Sequence, residues 1–189
     1  MRCETAAPSQ AEIAAIARRI DRPVVLVGLM GAGKSTVGRK LAGLLQTDFV
    51  DADHEIERAA TMTVSEIFER FGEPYFRDGE RRVIARLIAE LHGVIATGGG
   101  AFVDPQTRAL ILEQAIAVWI DCDIATLVQR TSRRTDRPLL RSGNPAEILE
   151  RLRREREPFY AQAPIRVTSG EGPQYDTALQ IVEAIDRWL

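Results

Sequence analysis

Pro23-Val24-Val25-Leu26-Val27-Gly28-Leu29-Met30-Gly31-Ala32-Gly33-Lys34-Ser35-Thr36 passes from an apolar strand through a glycine-rich turn into a helical pattern marked by Val37, Leu41, Leu44 and Leu45. Gly28 to Ser35 fit G-x-x-x-x-G-K-[ST]. In that pattern glycines turn backbone N–H groups toward phosphate oxygens, the Lys reaches the β- and γ-phosphates, and the hydroxyl ligates Mg²⁺. The helix opening directly after the turn adds a dipole that favours anions. With the strand before it and the helix after it, the stretch predicts a nucleotide-phosphate site made by Gly31, Ala32, Gly33, Lys34, Ser35 and Thr36. Lys34 and Lys40 are the only lysines among 25 basic residues. The general arginine excess reflects base composition, yet one lysine sits where a compact ammonium on a flexible stem is required.

Outward from this stretch, short apolar runs alternate with longer helical patterns. Strands are predicted at Val24–Leu29, Phe49–Val50, Val94–Thr97, Val118–Ile120 and Ile165–Val167. Helices are predicted at about 34–46, 54–60, 63–71, 75–91, 105–114, 123–132, 145–160 and 176–188. Near-continuous apolar strands with helical crossovers predict a parallel sheet covered on both faces, an α/β doubly wound domain of three layers. Residues 23–189 are read as one domain. Residues 1–22 form a leader whose Ile13, Ile16, Ala17 and Ile20 predict an amphipathic helix. Thr135–Pro145 collects turn residues, and with its arginines the segment at about 131–145 is a candidate lid.

The bulk properties narrow the function. A chain of 189 residues, 45% hydrophobic and 28% charged with a net charge of −2, has room for one core and no global attraction to nucleic acid or anionic membrane. No apolar run approaches a membrane span and the N-terminus lacks a signal-peptide core. Cys3 and Cys122 cannot make a metal cluster, and two unpaired thiols in a reducing cytosol are expected. A cytoplasmic monomer acting on a small molecule, without nucleic-acid or membrane partners, is the expectation.

Beyond the loop, the chemistry falls to carboxylates and arginines. A metal on a triphosphate wants one more carboxylate. Asp51, ending the second strand in Asp51-Ala52-Asp53, lies at the sheet edge where ligands collect, and Asp121 is its rival. Either could equally cap the helix that follows. Asp53 could accept a proton from a hydroxyl or orient it, and also cap a helix beginning at His54. Gly98-Gly99-Gly100 offers unobstructed N–H groups to a ligand, or is a plain turn. Arg130, Arg133, Arg134, Arg137 and Arg141 have Asp136 as the sole acid among them, which suits a lid closing over phosphates. The second arginine group, Arg151 to Arg156, is interleaved with glutamates and reads mostly as a solvated helix face.

Together the loop, Asp51-Ala52-Asp53, Phe76-Arg77, Gly98-Gly99-Gly100, Arg137-Pro138-Leu139-Leu140 and Arg156-Glu157-Pro158-Phe159-Tyr160 resemble the shikimate kinase family in order and spacing, from about Val24 to Val167. The resemblance implies a P-loop kinase fold with a lid and five parallel strands ordered 2-3-1-4-5. It implies transfer of the ATP γ-phosphoryl group to the 3-hydroxyl of shikimate. It further implies Lys34 and Ser35 at the phosphates and Mg²⁺, Asp51 holding the metal through water, and Asp53 as the base on the shikimate hydroxyls. Arg77 and Arg156 would grip the carboxylate, Gly99 and Gly100 would give backbone contact, Arg137 would reach the phosphates from the lid, and Arg130 would lie against adenine. Taken alone, Arg77 and Arg156 could be ordinary helix-surface charges. Asp78-Gly79 departs from the family pattern, where many relatives have a second Arg and an apolar residue. Glu80 keeps the acidic residue that helps hold the arginine at position 77. A relative acting on another hydroxylated acid such as gluconate is the alternative within kinases, and a non-catalytic binding regulator on the same fold is the alternative outside them.

Overall fold

The computed structural model describes residues 7–90, 93–132, 143–170 and 172–189. Its centre is a five-stranded parallel sheet: β1 (Val24–Val27), β2 (Asp48–Asp51), β3 (Gly93–Ala96), β4 (Ile116–Asp121) and β5 (Ile165–Thr168), ordered β2-β3-β1-β4-β5. Every residue of β1, β3 and β4 is buried, as expected for strands covered on both faces. Val25 pairs with Ile95 on one side and Ala117 on the other, which places β1 in the middle. β5 lies at an edge and alternates, with Ile165 and Val167 buried and Arg166 and Thr168 exposed.

The covering helices are α1 (Gln10–Arg19), α2 (Lys34–Leu45), α3 (Ala52–Ala60), α4 (Val64–Glu90), α5 (Pro105–Gln114), α6 (Ile124–Ser132), α7 (Pro145–Tyr160) and α8 (Gln174–Trp188). The leader helix packs rather than frays. Ser9 and Glu12 form a capping box at its start, and Ile13 and Ile16 enter the main core beside α2 and α8. The Arg19–Asp186 ion pair joins its far end to α8.

Several boundaries differ from the sequence expectation. β1 ends at Val27 because Gly28 turns to φ 137 and begins the loop. β4 is longer at both ends, since Ile116 and Ala117 pair with Val24 and Val25; ladder position overrides the weak strand preference of alanine. α3 begins at Ala52 and its cap is Asp51, whose Oδ1 accepts from the Asp53 amide at 3.1 Å, so Asp53 is not the cap. The helices expected at 63–71 and 75–91 form one element broken at Gly72 (φ 78, ψ 172). Pro74 follows the break, where a first helical turn needs no amide donor. α8 starts at Gln174. Of the lid expected at about 131–145, residues 133–142, with Arg133, Arg134, Arg137 and Arg141, lie outside the described residues.

Past the Gly72 break, the helical period sets Phe76, Glu80, Ile84 and Leu87 on the buried face. Phe76 joins Ile56 and Ile67 in a small core of its own, with Phe68 stacked at a centroid distance of 4.6 Å. This anchorage carries Arg77 to the carboxyl edge of the sheet.

Candidate active site

The loops leaving the carboxyl ends of β1, β2, β3 and β4 meet at one edge, the usual place for ligands in an open parallel sheet. Between β1 and α2, Gly33 takes φ 91, a left-handed conformation that a side chain would strain. The next residue opens α2, so its first-turn amides face the loop. Lys34 is buried, and its Nζ donates to the carbonyls of Gly28 and Leu29 at 2.8 Å each, folding the side chain across the loop. Thr36 is exposed on that first turn, while Ala32 packs into the core.

Ser35 and Asp51 meet across the β1 and β2 ends: the hydroxyl donates to Asp51 Oδ2 at 2.5 Å. Two hard oxygen ligands thus stand together beside the phosphate loop. Asp121 is occupied differently. It is 8% exposed and pairs with Arg166 at 2.7 Å and Arg153 at 3.6 Å, which ties β4 to β5 and α7. Among the described residues no cluster of three or more His, Cys, Asp or Glu could hold a metal by itself. A two-residue oxygen set completed by phosphate oxygens and water is the pattern Mg²⁺ takes on nucleotides.

Two residues on, Asp53 is half-buried. Burial pushes its carboxyl above the usual range and the Asp51 charge adds to this, with Lys34 and Arg77 opposing. A carboxylate held there can accept a proton from a hydroxyl or orient it.

Across Gly98 lies Glu80. A Cβ on Gly98 would stand 2.9 Å from Asp53 Oδ1 and 3.1 Å from Glu80 Oε1. Glu80 is 1% exposed and is pushed up to about 7 by burial, against the pull of Arg77. Its Oε2 accepts from Arg77 Nη1 at 2.6 Å, and Glu73 Oε1 accepts from Arg77 Nε and Nη2 at 3.3 and 3.2 Å. The guanidinium is thereby set against the glycine loop, where a Cβ on Gly100 would fall 2.2 Å from Nη2. From the other side, Arg156 on α7 brings Nη1 to 3.4 Å from a Cβ position on Gly99. Two guanidiniums therefore flank Gly98–Gly100, with Asp53 beside them.

Arg130 closes the opposite end. Its Nη1 donates to Ala32 O at 3.4 Å and Ser169 Oγ at 3.2 Å, and its Nη2 to Gly170 O at 2.5 Å. This joins α6 to the phosphate loop and to the turn between β5 and α8. Gln174 shares the place, its Oε1 being 2.6 Å from a Cβ position on Gly33. Sequence reasoning assigned no role to Gln174, Ser169 or Tyr160. Only Tyr160 had a usable signal, since it follows Arg156 by four residues and so shares its helix face.

Comparison with known proteins gives a consistent result. The shikimate kinase family model matches residues 30–186. The chain is 63% identical to a shikimate kinase of Novosphingobium aromaticivorans with full coverage of both chains. It is 50% identical to one of Rhodopseudomonas palustris, covering 96% of this chain and 89% of that one. Among solved structures, shikimate kinase from Acinetobacter baumannii in complex with shikimate superposes with a TM-score of 0.85 at 40% identity, over 88% of this chain and 93% of that one. A gluconokinase from Sinorhizobium meliloti shares the fold alone, at a TM-score of 0.60 and 15% identity over 89% and 94% of the two chains.

Proposed function

The chain belongs to the shikimate kinase family, and from that premise we propose that it transfers the γ-phosphoryl group of ATP to the 3-hydroxyl of shikimate. The observation that carries this reading is the grouping of Asp53, Arg77, Gly98–Gly100 and Arg156 on one side of Lys34 and Ser35. An acceptor that meets a raised carboxyl and two guanidiniums has hydroxyls and a carboxylate, as shikimate does.

In this mechanism the loop amides from Gly31 to Thr36 and the Lys34 ammonium hold the ATP phosphates. Lys34 exchanges its contacts with the Gly28 and Leu29 carbonyls for the phosphate oxygens. Ser35 and Asp51 are the residues that would hold Mg²⁺, with Asp51 acting through water, and the ion supplies neutralisation of the phosphate charge. Arg130 at the end of α6 would lie against adenine, and Arg137, outside the described residues, would be the lid arginine that serves the phosphates. Arg77 and Arg156 take the shikimate carboxylate, and the Gly99 and Gly100 amides steady the ring. Asp53 orients the 3-hydroxyl and accepts its proton. Phosphoryl transfer is loose, so this positioning contributes more than strong basicity.

We take residues 23–189 as one kinase domain carrying a leader, working as a cytoplasmic monomer. Cys122 is a buried free thiol, and among the described residues no helix is long and apolar enough to cross a membrane. Coupled ATP turnover with shikimate and gluconate side by side tests the function. Turnover with shikimate is expected; turnover with gluconate alone would overturn it.

A further inference from the structure

A run of three glycines is a poor platform for a substrate unless something holds it, because glycine loses more freedom on ordering than any other residue. Thr97 fixes the entry to the run: its amide and its Oγ1 both donate to Leu26 O, at 3.2 and 3.0 Å. Past the run, the Ala101 amide donates to Gly98 O at 3.2 Å and the Val103 amide to Gly100 O at 3.1 Å. The middle carbonyl, that of Gly99, accepts from a side chain instead: the hydroxyl of Tyr160, the last residue of α7.

Tyr160 is built for that contact. It is 2% exposed, and its ring packs against Trp119 of β4 at a centroid distance of 6.0 Å. Burial pushes the phenol up, with Arg156 opposing, so the hydroxyl stays a neutral donor through the physiological range. One helical turn before it on the same face stands Arg156, whose guanidinium borders Gly99.

We propose that Tyr160 is a positioning residue for acceptor binding, its hydroxyl locking the Gly99 peptide to α7 so that the Gly99 and Gly100 amides and Arg156 face the acceptor in fixed register. This rests on the shikimate reading above. A carbonyl held from below aims the following amide away from that bond, toward the side where the acceptor lies. Without the hydroxyl, the glycine run must be ordered by the acceptor itself, and the cost appears in acceptor affinity. ATP, held by a different loop, has no share in that cost.

Tyr160→Phe keeps the ring and removes the donor. The expected result is a rise in the KM for shikimate of about three- to tenfold, the span covered by one lost hydrogen bond, with the KM for ATP within about twofold of wild type. A general loosening of the fold would raise both. An unchanged KM for shikimate, or an equal rise in both constants, would overturn the proposal. Wild-type turnover is measured in parallel. Its absence with shikimate would instead sink the functional reading, and the proposal with it. A second measurement needs no variant: the NMR backbone order parameters of Gly98–Ala101 in the substrate-free wild-type protein. Values near those of rigid backbone, about 0.85, are expected of a loop already pinned, and values below about 0.6 would overturn the proposal even if Tyr160→Phe failed to fold.

Discussion

Glu80 holds Arg77 with one carboxylate oxygen, at 2.6 Å, and turns the other toward Asp53, where it is buried without a hydrogen-bond partner among the described residues. One acid thus orients the arginine proposed to grip the acceptor, and the Asp53 charge adds to the burial that raises this acid. A half-satisfied buried acid is costly, and the cost depends on pH.

Glu80 sits at about 7 in the folded chain against 4.5 for the free side chain. Between those values the folded state holds a proton that the unfolded state has released. The contribution of this site to stability is therefore full below about pH 4.5 and is lost as pH rises through about 7. In thermal melts from pH 5 to 8, wild type should lose about 1–3 kcal/mol relative to Glu80→Gln as pH rises. Parallel melting curves for the two proteins across that range would contradict the assignment.

Asp53→Asn should lower kcat about 100-fold or more, the range for a lost acid–base group, while ATP binding is retained. Because the Asp53 carboxyl is raised, wild-type turnover should decline as pH falls through its pKa, and the variant should lack that limb. Near-normal turnover in Asp53→Asn would remove it from the mechanism.

Asp51→Asn should raise the Mg²⁺ concentration for half-maximal activity about tenfold, since it removes the carboxylate charge that holds the ion through water beside Ser35. Asp121→Asn should leave that value within about twofold and instead lower the melting temperature by a few degrees, because Arg153 and Arg166 lose a charged partner. Titration of Mg²⁺ in both variants decides; the reverse ranking would hand the metal role to Asp121.

Gly100→Ala places a methyl 2.2 Å from Arg77 Nη2, so the guanidinium must swing off Glu80 and the glycine loop. Acceptor KM should rise more than tenfold, the loss of about one charge-assisted hydrogen bond, with ATP KM unchanged. Initial-rate kinetics with each substrate varied in turn provides the check.

Gly79→Ala should do the opposite of harm. Gly79 lies inside α4, and a Cβ there meets nothing within 4 Å. The change should stabilise by about 0.5–1 kcal/mol, or about 2–4 °C in melting temperature for a chain of this size, with kinetics unaffected. A lower melting temperature would mean that the departure at Asp78-Gly79 serves a purpose that local geometry does not reveal.

The phosphate loop and the parallel sheet were legible in the chain because each depends on local pattern. A strand, a G-x-x-x-x-G-K-S turn and a helix declare themselves within 20 or so residues. Asp51 was expected at a metal and Asp53 at a hydroxyl, but their partners were not legible. Those required the Ser35 hydroxyl from β1's loop to meet Asp51, and Asp51 to take the helix cap, leaving the half-buried Asp53 carboxyl raised by burial and by Asp51. Nor could the chain show that Asp121 pairs with Arg153 and Arg166, which lie 32 and 45 residues away.

The sequence by itself determined which groups are available and that they would gather at the carboxyl edge of a doubly wound sheet. Tertiary structure alone decided the pairings: Glu80 with Arg77 past the break at Gly72, and Tyr160 with the carbonyl of Gly99, 61 residues apart. The reason is physical. Backbone pattern and helical period act over a few residues, whereas burial raises the cost of an unpaired polar group only where distant segments close over it.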